Sequence, residues 1–159
     1  MTQINSLIFE NLDVDDDFRW LLKQRLAEDD VYNMFDTEVN IVSRETDLKQ
    51  KTSLPAVTLS VFQSQSILPD DEQLQAYTPF TVEINVYTTG KGRVDKCIKL
   101  CNIIIKILQS SGQLPHYYCR GLRLESNNEV GTFLNDAERR VIRMSGLCYN
   151  NQKIIINRR

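Results

Sequence analysis

The residues of this chain best suited to chemistry are four cysteines, at positions 97, 101, 119 and 148, and a single histidine, His116. Cys97-x3-Cys101 followed by His116-x2-Cys119 sets out four zinc-type ligands in order. The surroundings point elsewhere. Cys97 and Cys101 fall within the apolar arc of a helix rather than on a knuckle turn, and free cysteine is among the most buried residue types, so both read as core packing. Four cysteines in 159 residues also lack the density of a disulfide scaffold, as expected of a protein made in a reducing cytosol.

Other chemistry fails on spacing. The acidic run from Asp13 has the look of a calcium loop, but Phe18 stands where the required glycine belongs and Gln24 where the bidentate glutamate belongs. Asp15, Asp16 and Asp17 read instead as solvated carboxylates in the first turn of a helix, where they meet the positive end of its dipole. Gly90-Lys91-Gly92 lacks the spacing and the Lys-Ser/Thr pair of a phosphate loop and reads as a turn feeding a helix. His116 follows Pro115 with no nucleophile motif beside it. Arg139, Arg140, Arg143, Arg158 and Arg159 could touch phosphates, yet no aromatic platform accompanies them at matching spacing. No catalytic residue, metal ligand set or cofactor site is assigned.

The elements behind these residues are clearer. Val14, Phe18, Leu21, Leu22 and Leu26 share one helical stripe, and Trp20 lies on the opposite side, either packed under a loop or waiting for another chain. Val39 and Ile41 alternate with polar neighbours in a short strand, and Ser43 to Ser53 reads as a loop. Pro55 opens a strand with Val57, Leu59 and Val61 on one face; Pro79 opens another with Phe80, Val82, Ile84 and Val86 on one face. Between them Gln63 to Thr78 exceeds what a hairpin needs, and loops that long are usually functional or disordered. Ile67, Leu68, Leu74 and Tyr77 beside Asp70, Asp71 and Glu72 suit docking on a partner; a plain acidic insertion is the competing account.

Val94 to Leu108 is the best-defined helix. Val94, Ile98, Cys101, Ile105 and Leu108 form a stripe that Leu100, Ile103, Ile104 and Ile107 widen, leaving Asp95, Lys99, Asn102, Lys106 and Gln109 as a narrow wet face. Such an arc needs two partners: the sheet on one side, and the first helix or a neighbouring subunit on the other. Candidate interface residues are therefore Trp20, Leu100, Ile103 and Ile107, with Ile67, Leu68, Asp70, Asp71, Leu74 and Tyr77 of the hairpin tip. Beyond Gly112, Tyr118, Leu122 and Leu124 suggest a strand, Glu125 to Gly131 a polar loop, and Ala137 to Tyr149 a longer strand turning at Asn150-Asn151 into Lys153 to Asn157. The fold class expected is α+β, sandwich-like: a mixed, largely antiparallel sheet carrying one long helix and an N-terminal helix.

The length suits one domain over residues 1–159. Net charge is −2 with both signs interspersed, so no polybasic face announces nucleic acid. The first residues lack a cationic leader, and the longest apolar run is far below the roughly 18 residues that span a bilayer, so a soluble protein is expected.

The arrangement resembles the bacteriophage tail terminator (tail completion) family and the related head-to-tail joining proteins. The strands Leu54-Pro-Ala-Val-Thr-Leu-Ser-Val61 and Phe80-Thr-Val-Glu-Ile-Asn-Val-Tyr87, the helix Val94–Leu108 and the strand Arg140-Val-Ile-Arg-Met-Ser-Gly146 carry the resemblance. It implies a virion protein without catalysis, made in the host bacterial cytoplasm. Such a protein closes into a ring, usually a hexamer, that caps the tail-tube protein and ends tail growth. Its other face meets the head-tail connector protein, and double-stranded DNA passes through the lumen. The chain departs from that pattern in its extended N-terminal segment and in the length of Gln63–Thr78. A head-side connector or neck protein is the close variant. A small enzyme using carboxylates or His116 is the alternative of another class.

Overall fold

The computed structural model describes residues 14–42, 54–63, 78–110, 112–133 and 137–150. Helices α1 (Val14–Arg25) and α2 (Asp29–Phe35) lead into the short strand β1 (Asn40–Val42). Strands β2 (Ala56–Gln63) and β3 (Thr78–Thr89), helix α3 (Arg93–Gln109), and strands β4 (Tyr117–Phe133) and β5 (Ala137–Asn150) follow. The strands form one sheet in the order β1-β2-β3-β5-β4. β1 runs parallel to β2, and every other neighbouring pair is antiparallel. This is an α+β fold with a mixed, largely antiparallel sheet.

Alternation along the strands sorts the two faces. Val57, Leu59, Val82, Ile84, Val86, Ile142 and Met144 are buried on one face, beneath α1 and α3. α1 contributes Val14, Phe18, Leu22 and, just past its end, Leu26; the Phe18 ring lies 5.8 Å from that of Phe80. Each fully buried side chain of this size adds about 1.5–3 kcal/mol before chain entropy is subtracted. The opposite face is mostly polar, with a small apolar cluster of Leu54, Ala56, Tyr87 and Ala137 at one end. Elsewhere on this face Arg143 meets Glu83 at 3.1 Å across β3 and β5. Arg139 bonds the Asn85 side chain and lies 5.9 Å over the Tyr87 ring. These arginines, candidates for phosphate contact by type, are held by neighbours on their own sheet.

β1 covers β2 only from Ala56 to Thr58. Just beyond, the Leu59 carbonyl accepts from Arg19 of α1 at 3.3 Å, which satisfies an edge group that would otherwise face solvent. Between β3 and α3, Gly90 and Gly92 have φ of 86° and 75°, a region that costs residues with a Cβ (here Gly92 caps the helix).

The structure adds one element and corrects two expectations here. α2 fills a stretch to which the sequence patterns assigned no element; it ends at Asp36, whose φ of 57° stops the helix as its N–H donates to the Tyr32 carbonyl. Glu125 to Gly131 is not a loop but the second half of β4, paired to β5 through two irregularities. Serine, asparagine, glutamate and glycine favour turns locally, but pairing with the long β5 overrides that preference, and bulges absorb the mismatch. The stripe on α3 is also rotated: Cys97, Leu100, Cys101, Ile104 and Leu108 are buried, whereas Val94 and Ile98 are 47% and 37% exposed. The wet face is as expected, with Asp95 and Lys99 paired at 3.0 Å. The segments 43–53 and 64–77 and the turn after Asn150 lie outside the described residues.

Candidate assembly surface

Trp20 projects from the outward side of α1, opposite the Phe18 and Leu22 stripe, and is 47% exposed. Tyr32 on α2 is exposed to a similar degree. Leu100 and Ile107, expected to await a partner, are buried within the chain, so neither offers contact area to a second subunit. Ile103 is half-buried. It lines a cleft of about 380 Å³ with Val31 and Ile107, and Arg25, Glu28, Asp30 and Lys106 also border it. On this side the arc of α3 is covered by the sheet and by the helices before it. Farther along that side, the Lys96 ammonium lies 6.0 Å from the Phe35 ring and ties α3 to α2. Ile67, Leu68, Asp70, Asp71, Leu74 and Tyr77 lie outside the described residues.

The exposed apolar part of α3 is the flank away from that cleft. At 100° per residue Val94 and Ile98 stand on the side opposite Ile103. α3 packs over β3, β5 and β4, so this flank faces the β4 edge of the sheet. Leu124 of β4 pairs with the buried Met144, which places it on the helix-bearing face, and it is 42% exposed. Three exposed apolar side chains therefore lie on the β4 side of the helical layer. The sequence carried Val94 and Ile98 as core, because period alone gives an arc and not its orientation.

Among the described residues, those with reactive chemistry meet in pairs: Asp17 with His116, Cys97 with Cys101, and Cys119 with Cys148. Asp17, expected in solvent, is 2% exposed and anchors the segment before β4. Its Oδ2 accepts the backbone N–H groups of His116 and Tyr117 at 2.8 and 3.0 Å, and its Oδ1 lies 2.9 Å from the His116 Nδ1. A buried carboxylate is tolerable only when hydrogen-bonded in this way. The sequence holds no local sign of this contact, since the partners are 99 and 100 residues away. Cys97 and Cys101 lie on the buried side of α3, where the Cys97 thiol donates to the Val86 carbonyl at 3.6 Å. Cys119 faces Cys148 across β4 and β5. The neighbouring thiol, together with burial, pushes Cys101 and Cys119 well above the ordinary thiol range. Among the described residues no group of three or more His, Cys, Asp or Glu side chains could hold a metal ion, and no helix is long and apolar enough to cross a membrane.

The chain matches no protein-family model, and no curated protein matches it.

Proposed function

We propose that this protein is a structural ring component of a bacteriophage head–tail junction. It caps the tail-tube protein, ends tail polymerisation and offers its other face to the head-tail connector, with double-stranded DNA passing through the ring. The observation that carries the reading is apolar exposure on two different parts of the helical layer: Trp20 and Tyr32 on the first two helices, Val94 and Ile98 on the third. Two unlike patches that meet from copy to copy make a heterologous contact, and such a contact closes into a ring when its rotation allows. A hexamer is the expected closure. Aromatic side chains suit such contacts, since each brings a large area at a small entropic cost. The α+β architecture and the strand–turn–helix run from Thr78 to Gln109 agree with the resemblance noted in the sequence.

Electron microscopy of the purified protein, and of particles assembled without it, tests the proposal. Rings in the first case and headless or overlong tails in the second are expected; normal particles without the protein would overturn it. One observation favours an enzyme instead: the Asp17 carboxylate orients the His116 ring, whose side chain is 59% exposed. His116→Ala distinguishes the two, because a structural ring keeps assembling without the imidazole whereas a general base is lost.

A further inference from the structure

We propose that Cys119 and Cys148 form a redox site, joined by an oxidising low-molecular-weight disulfide into a cross-strand bridge that staples β4 to β5. The site is independent of the assembly reading.

The register sets the two cysteines directly opposite one another. Which kind of opposite pair they form follows from the backbone. The Cys119 N–H donates to the Gly112 carbonyl at 2.9 Å, so it points away from β5. Two residues earlier, Tyr117 turns both of its groups the same way: its N–H donates to Asp17, and its carbonyl accepts from Leu114. Residues turned outward belong to the close pairs of an antiparallel ladder, whose Cα atoms are about 4.5 Å apart. That separation falls within the range of about 4.4–6.8 Å that disulfides span. The thiols are close enough to act on one another: the neighbouring Cys148 thiol, with burial, pushes Cys119 above its ordinary range.

Cys97 and Cys101 are an internal contrast. They too are buried neighbours that act on one another, but they stand one turn apart on α3. Helical geometry holds such Cβ atoms about 5–6 Å apart, beyond the roughly 3.5–4.5 Å that a disulfide needs. Proximity exists at both pairs; bridging geometry exists at one.

The chemistry balances as thiol–disulfide exchange. One cysteine thiolate attacks oxidised glutathione and displaces a glutathione thiolate, leaving a mixed disulfide. The second cysteine thiolate attacks the protein sulfur of that bond and releases the other glutathione. The two cysteines are oxidised, one glutathione disulfide is reduced to two thiols, and the cysteine protons pass to the leaving thiolates. Both sulfurs are buried, so exchange proceeds through opening of the start of β4, which lies at the sheet edge.

Refolding the full chain from denaturant in oxidised glutathione removes access as a limit. Acid quenching, alkylation and peptide mapping should then recover the linked 119 and 148 peptides, with Cys97 and Cys101 alkylated. The oxidised protein should melt about 5–10 °C above the reduced one, a difference lost in Cys148→Ser and kept in a Cys97→Ser, Cys101→Ser variant. Free thiols at 119 and 148, glutathione left on either, or a bridge at 97 and 101 in preference would each overturn the proposal. The map on the unmutated chain decides even if a variant does not fold.

Discussion

The carboxylate of Asp17 holds both the backbone N–H and the ring Nδ1 of His116, at 2.8 and 2.9 Å, across 99 residues of chain. Through this contact the first turn of α1 is fastened to the segment that starts β4. His116 contributes its main chain to the latch as much as its imidazole, and Tyr117 adds a further donor at 3.0 Å.

Asp17→Ala should lower unfolding stability by about 2–4 kcal/mol, because it strands buried backbone donors that were bonded to a charge. His116→Ala should cost about 1 kcal/mol or less, since it keeps both backbone donors and removes an exposed ring. Urea denaturation of the two variants checks the order. Equal losses would mean that the ring, and not the main chain, carries the latch.

Ile104→Asp should leave the protein insoluble, for Ile104 is fully buried between α3 and the sheet. Ile98→Asp, six residues earlier on the exposed flank, should express as a soluble protein with an unchanged melting midpoint. Its expected defect is in assembly, visible as a shift to lower mass by light scattering. A soluble, cooperatively melting Ile104→Asp would refute the placement of α3.

Gly92→Ala should cost about 1–2 kcal/mol through the backbone alone. Its φ is 75°, while the nearest atom to an added Cβ is the tip of Lys96 at 3.9 Å, an ordinary contact. Thermal melting measures the loss. Truncating Lys96 should not relieve it.

Stability should fall in alkali. Cys101 and Cys119 have thiols pushed above their ordinary range by a neighbouring thiol and by burial, so the folded chain keeps protons that the unfolded chain releases near pH 8.5. The stabilisation is complete below that value and is lost as pH rises further, by up to about 1.4 kcal/mol per pH unit for each thiol. Denaturation under reducing conditions at about pH 8 and about pH 10 gives the slope, which Cys101→Ala should reduce.

The elements of this fold were legible wherever one face alone is buried. Phe80, Val82, Ile84 and Val86 alternate along β3, and Val14, Phe18 and Leu22 recur along α1, because a half-buried strand or helix must repeat at its own period. The second half of β4 was not legible. Its polar residues suit a loop equally well, and only the partner strand shows that their backbone is paired.

The chain alone therefore determined the fold class, the strand–turn–helix run around Gly90 and Gly92, and the salt-bridged wet face of α3, all products of short-range periodicity and local backbone preference. Tertiary structure decided the rest. It turned the long apolar arc so that Leu100 and Ile107 are covered while Val94 and Ile98 are not. It also drew Asp17 into the interior and set Cys119 against Cys148. Burial and pairing of this kind depend on which distant segment arrives, and no local pattern records that.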